Sequence, residues 1–179
     1  VRAATRETFL DYINRWYKPM RMVVGLGGRL DGDALGVVEG LLGDLEPVQT
    51  PAPEEVQLNG DGGPNVTIHH KDSDQAHLCL GVRSYPLVHP DRYALQLLAT
   101  VLGTGMSSRL FSEVRERRGL AYYVFAANQS YTDAGSLYSQ AGVDIARIDE
   151  AVETIAREFR RIADEAVPAD ELEKARALA

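Results

Sequence analysis

The sequence predicts an α+β fold, a mostly antiparallel sheet with helices packed on one face. Three observations carry that expectation. The segments "LAYYVFAANQS" and "GSLYSQAGVD" flank "YTDA" and read as a β-hairpin. In "QAHLCLGVRS", Ala76, Leu78, Leu80 and Val82 alternate inward, which supplies a further strand. Finally, "ARIDEAVETIAREFRRIADEAV" repeats Ile148, Val152, Ile155, Phe159 and Ile162 at 4-3-4-3 spacing, the stripe of an amphipathic helix.

The other elements follow in order. Residues 5–17 predict a helix, with Thr5 as N-cap and Phe9, Ile13 and Trp16 on one face, ended by Pro19. Met20 to Gly27 reads as a short buried strand, and a second helix starts near Asp31 with Leu35, Val38, Leu41 and Leu42 inward. Residues 46–64 are rich in proline and glycine, lack a period and read as a linker. "VTIHHK" is expected to pair with the strand at 76–84 through the turn "DSD". A helix opens at Pro90–Asp91, buries Leu97, Leu98 and Val101, and takes Gly103 as its C′ stop. Ser107 or Ser108 caps the next helix, which ends at Gly119. "PADELEKARALA" opens a last helix with proline and acidic residues. That helix runs to Ala179 without a stop, and the opening helix-strand-helix unit has too few strands for a sheet of its own. The expected organisation is therefore the end of one domain (1–45), a linker (46–64) and the first part of a second domain (65–179), truncated at both ends. Uncovered sheet edges and apolar faces in such a chain predict self-association, as a homo- or hetero-oligomer.

Composition narrows the function classes. The 179 residues are 45% hydrophobic and 25% charged, as in soluble globular proteins. A formal charge of −7 and a pI near 5.1 argue against nucleic-acid binding. No apolar run approaches the roughly 20 residues that span a bilayer. Cys79 is the only cysteine and so cannot form an intrachain disulfide. No signal-peptide pattern stands at the start.

The stretch "SSRLFSEVRERRGLAYYV", Ser107 to Val124, holds four arginines and two glutamates before it turns into a tyrosine-bearing strand. Arg115 and Tyr122 flank one tight helix-to-strand turn and can converge. Tyr122 is expected on one strand face with Val124, and Tyr123 on the other with Phe125. A guanidinium and a phenol together offer donors for peptide carbonyls or a carboxylate. The same residues also fit a solvated helix face with internal Arg–Glu pairs and a half-buried tyrosine. His77 and Cys79 share a strand face, with His69 opposite in the expected pairing. Yet the four histidines lack the spacing of a zinc site, so no metal ligand is assigned. The "GTG" turn at 103–105 lacks a preceding strand and a following lysine. No Ser-His-Asp order with a nucleophile elbow is present, and Cys79 on an expectedly buried strand is a poor nucleophile.

The segment "LLATVLGTGMSSRLFSEVRERRGLAYYV" resembles the pitrilysin/insulinase zinc metallopeptidases, in particular the bacterial members similar to mitochondrial processing peptidase. "TRETFLDYINRWYKPMRMVVGLGG" resembles the end of that family's N-terminal domain, and "KDSDQAHLCLGVRSYPLVHPDRYALQLL" the opening of its C-terminal domain. "VPADELEKARA" resembles a later helix start. The resemblance implies a metallopeptidase-like fold and assigns peptide-substrate contacts to Arg115 and Tyr122, which match an arginine and a tyrosine seven residues apart. It leaves Arg117 and Arg118 as solvated charges. The family's zinc site is an H-x-x-E-H helix, with two histidines as ligands and the glutamate activating water. None of the four histidines here begins such a motif, and by alignment it lies before Val1. The resemblance thus implies a fragment of a zinc-dependent endopeptidase that supplies a substrate-binding wall, with no catalytic residue and no zinc in this chain. The partners it implies are a peptide substrate and an N-terminal catalytic domain, which holds the zinc. The alternative is a non-catalytic peptide-binding or scaffold subunit of the same fold. Bacterial cytoplasm and periplasm both fit.

Overall fold

The computed structural model describes residues 3–30, 32–50, 52, 66–70 and 72–178. They fall into two compact units, Val1–Glu54 and Glu55–Ala179.

In the first unit, α1 spans Arg6–Trp16. Its start is a reciprocal capping box: the Thr8 N–H donates to the Thr5 hydroxyl, and the Thr5 N–H donates to the Thr8 hydroxyl. A 3₁₀ turn, Pro19–Arg21, follows. The strand expected at 20–27 does not form, and Met22, Val23, Val24 and Leu26 are exposed. A strand persists only where a neighbour takes up its backbone groups, and no described residue of this unit is in a strand. The second helix, α2 (Ala34–Leu42), starts later than expected, because the Asp33 carboxylate accepts the Gly36 N–H at 2.9 Å. Asp31 lies outside the described residues. Val38 and Leu42 are half-buried, but Leu35 and Leu41 are 72% and 76% exposed, against the inward placement the sequence suggests. Among the described residues of this unit none is buried, so the amphipathic pattern is present without a surface to cover it.

The second unit holds β1 (Ala76–Ser84), α3 (Arg92–Gly103), β2 (Ala121–Ser130), β3 (Gly135–Val143), α4 (Ile148–Asp164) and α5 (Ala169–Leu178). Its three strands are antiparallel in the order β1-β3-β2. The β2–β3 hairpin pairs Ser130 with Gly135, and the Tyr131 N–H donates to the Ala134 carbonyl across "YTDA". The strand expected at "VTIHHK" is absent: residues 66–70 have no regular structure, and Lys71 lies outside the described residues. Instead β1 pairs with β3, from Ala76 opposite Val143 to Ser84 opposite Gly135. Residues 46–50 and 52 of the expected linker are likewise irregular, and the rest of it lies outside the described residues.

Alternation puts Leu78, Leu80, Val124, Ala126, Ala141 and Val143 on the face that packs against the helices. Val82, expected inward, is half exposed near the end of β1. Cys79, expected to be buried, is exposed, because it alternates with Leu78 and Leu80 onto the open face. In α4 the most buried residues are Ala151, Thr154, Ile155 and Glu158, while Ile148, Phe159 and Ile162 pack more shallowly. The buried stripe is thus offset from the expected one and includes the small residues Ala151 and Thr154. The second half of α3, Ala99 to Gly103, is buried. Gly103 is the last helical residue rather than the C′ stop, Thr104 is the C-cap, and the left-handed residue is Gly105 at φ 81°. Gly103 is needed for close approach, since a Cβ there would stand 2.1 Å from the Ala126 nitrogen on β2.

This contact sets a stability test. Gly103→Ala should lower stability by about 2–3 kcal/mol, because backbone must move to admit the methyl. Gly40→Ala, in a helix with open space around its Cβ, should be neutral or stabilising by up to about 1 kcal/mol. Urea midpoints of the two variants check both signs.

Candidate functional site

The site grows from the helical segment after α3. The Ser108 hydroxyl donates back to the Gly105 carbonyl at 2.8 Å, while the Ser108 carbonyl accepts the Ser112 N–H. Ser108, buried, is therefore the residue at which the helix begins. Residues Phe111–Glu116 are π-helical, and the Arg117 N–H reaches the Ser112 carbonyl at 2.9 Å. A π segment inserts an extra residue per turn and is frequent at functional sites. Its end is one residue wider than an ordinary α-helical stop: the Gly119 N–H donates to the Arg115 carbonyl at 3.1 Å and the Leu120 N–H to the Val114 carbonyl at 2.8 Å. Gly119 takes φ 59°, a conformation disfavoured for side-chain-bearing residues, and Leu120 and Val114 are both buried.

The strand then carries a bulge. Ala121 faces Val143 and Tyr123 faces Gly142, which leaves Tyr122 as the extra residue. Tyr122 is 67% exposed, whereas Val124 is buried. The expectation that these two share a face is corrected by the bulge, which interrupts the alternation and turns Tyr122 outward. Tyr123 and Phe125 lie on the open face, ring centroids 6.5 Å apart, and the Tyr123 hydroxyl shares a 3.0 Å hydrogen bond with His77 Nδ1. Gly142 permits this, since a Cβ there would fall 2.5 Å from the Tyr123 ring.

The four arginines separate by environment. Arg109 is 6% exposed, and its Nε and Nη2 donate to Glu171 Oε2 at 3.0 and 2.7 Å, which ties α5 to the start of the helix. Arg117 and Arg118, expected as solvated charges, are both fastened to Glu113. Arg115 is exposed, its guanidinium 4.9 Å from the Phe111 ring centroid, and no carboxylate among the described residues lies within ion-pair distance. Arg115 and Tyr122 thus stand on the two sides of one turn, both open to solvent, and no hydrogen bond joins them. The charge ledger behind them is tight. Burial pushes the Glu158 carboxyl above the ordinary carboxylate range. The Arg161 guanidinium counters this, the Glu113 charge adds to it, and Arg109 and Arg157 oppose it. Glu158 Oε2 and Arg109 Nη1 are buried without a hydrogen-bond partner.

The zinc donors of the resembling family have no counterpart here. His77 is engaged by Tyr123, His89 stacks on Tyr85 with centroids 3.8 Å apart, and His69 and His70 stand in the irregular segment. Among the described residues no group of three His, Cys, Asp or Glu side chains could hold a metal ion, so these residues do not fit a zinc site. No helix among them is long and apolar enough to cross a membrane.

The second unit is thus a two-layer α+β arrangement, with helices on one face of an antiparallel sheet. The fold is shared, at a TM-score of 0.86 and 20% identity, with a protease from Helicobacter pylori, covering 99% of this chain and 44% of that one. The chain belongs to the peptidase M16 inactive-domain family, whose model matches residues 3–178. A solved peptidase M16 inactive domain from Pseudomonas fluorescens is 28% identical, with a TM-score of 0.57 over 59% of this chain and 26% of that one. An uncharacterized zinc protease of Mycobacterium leprae is 35% identical over 93% of this chain and 38% of its own length. One from Bacillus subtilis is 30% identical over 95% and 41%. The chain therefore spans about two fifths of the length of these relatives.

The buried carboxyl gives a pH test. A carboxyl whose folded pKa is raised favours the fold when protonated, so that contribution is present at low pH and lost as pH rises through the folded value. Glu158→Gln should therefore raise the thermal midpoint at pH 7, with the gain shrinking as pH falls toward the ordinary carboxylate range. A gain independent of pH would contradict the assignment.

Proposed function

We propose that this chain is the substrate-holding part of a longer zinc-dependent endopeptidase. Residues 1–45 close an N-terminal peptidase-like domain and residues 65–179 open a C-terminal one. Zinc and the carboxylate that activates water belong to the catalytic partner domain, and no chemical step falls to this chain. Its task is to fix the peptide. The Arg115 guanidinium supplies charge-assisted donors to a peptide carbonyl or carboxylate, and the Tyr122 phenol adds a second polar contact.

One observation carries this reading. Of the four arginines between Ser107 and Val124, three are held by carboxylates of the chain itself, and Arg115 alone of them is not. It is presented beside a tyrosine that a bulge turns out of the core pattern. Relatives named zinc proteases, about two and a half times as long as the matched segment, support a catalytic half elsewhere in the protein.

In the longer protein, Arg115→Ala and Tyr122→Phe should each reduce kcat/KM for an unstructured peptide by about tenfold, mainly through KM, as expected for loss of one hydrogen bond to or from a charged or polar partner. Zinc content should stay at the wild-type level. Unchanged kcat/KM in both variants would refute the assignment.

A further inference from the structure

We propose that Arg147 positions the Arg115–Tyr122 pair by holding the Arg118 carbonyl at the turn between them; the inference rests on the peptide-contact role proposed above. The carbonyls at the end of the π-helix are taken one by one. Ser112 accepts from Arg117, Val114 from Leu120 and Arg115 from Gly119, all within the segment. The Arg118 carbonyl, immediately before Gly119, accepts instead from Arg147 Nη1 at 3.1 Å, across 29 residues of sequence. A helix C-terminus is the negative end of its dipole, where a guanidinium is favoured.

Arg147 is itself built in from behind. Its Nε and Nη2 donate to Glu150 Oε2 at 3.3 and 2.9 Å, which fixes the plane of the guanidinium and aims Nη1 at the carbonyl. Its backbone ends the 3₁₀ turn Ile145–Arg147, where the Asp144 carboxylate accepts the Ala146 N–H at 2.9 Å. It is also the N-cap position of α4, whose Ala151 and Ile155 are fully buried. The contact therefore ties a turn with an exposed glycine at its centre to a helix anchored in the core. Its effect on global stability is small, because an ion pair as open to solvent as Arg147–Glu150 adds little. The consequence falls on the geometry of Arg115 and Tyr122.

Amide exchange and peptide kinetics on the intact protein test this separately. Arg147→Ala should speed exchange of the Gly119 and Leu120 amides by about tenfold, while amides of the β1–β3 ladder keep their protection. KM for an unstructured peptide should rise about as much as in Arg115→Ala, with kcat near wild type. Arg147→Lys, which keeps a cationic donor, should recover part of both effects, and Glu150→Gln should show a weaker version of them. Unchanged exchange at Gly119 and Leu120 in Arg147→Ala would overturn the clamp, as would faster exchange with wild-type KM while Arg115→Ala raises KM. Were Arg115→Ala itself to leave KM unchanged, the peptide-contact reading would fall, and the exchange result alone would still decide whether Arg147 holds the turn.

Discussion

The turn from the π-helix into β2 governs what the rest of the second unit can present. Gly119 reverses the chain at positive φ, and the Leu120 N–H closes onto the Val114 carbonyl. Leu120 and Val114 are buried in the same core that receives Val124, Ala126 and Ala141 from the sheet. Because this packed pair fixes where the helix stops, it also fixes where the strand begins. The bulge at Tyr122 follows within three residues, and Arg115 lies one turn before the stop. Loss of the turn would scatter the two side chains even with every other element intact.

Electrostatics sorts what the turn presents. Arg109, Arg117 and Arg118 are matched by Glu171 and Glu113, so part of each one's donor capacity and charge is already engaged within the chain. Arg115 rests on the Phe111 ring instead, a contact that orients the group while leaving its N–H donors available. Glu158 is buried, and loss of water is the main reason its carboxyl resists ionisation; the Arg161 and Arg109 charges oppose that effect and the Glu113 charge adds to it. Among the described residues of the second unit, the helices pack against one face of the sheet, and the opposite face carries Tyr123, Phe125 and His77.

Much of this was legible in the sequence where a pattern has a single physical solution. The 4-3-4-3 spacing gave α4, the alternating runs around "YTDA" gave the hairpin, and Thr5 gave the start of α1. The α+β class and the M16 resemblance were also readable, from local periodicity and from the stretch between Gly103 and Tyr122. What stayed hidden depends on partners distant in sequence. Strands at 20–27 and 66–71 have the right composition, yet composition cannot supply a neighbour for their backbone. Gly103 reads as a stop until its approach to Ala126 is seen. The bulge leaves no mark in the sequence, so alternation alone places Tyr122 on the face of Val124. Nor can sequence tell that Glu113 binds Arg117 and Arg118 together, or that Arg109 finds Glu171 across 62 residues.

We propose that Arg115, alone among the four arginines between Ser107 and Val124, is available to a peptide. The most direct measurement is the side-chain Nε–H resonance of each arginine by NMR, followed while an unstructured peptide is added to the protein. The Arg115 signal should shift progressively, together with the Tyr122 amide, while those of Arg109, Arg117 and Arg118 hold their positions. Shifts confined to Arg117 and Arg118, or an Arg115 signal unmoved at peptide concentrations that saturate binding, would contradict it.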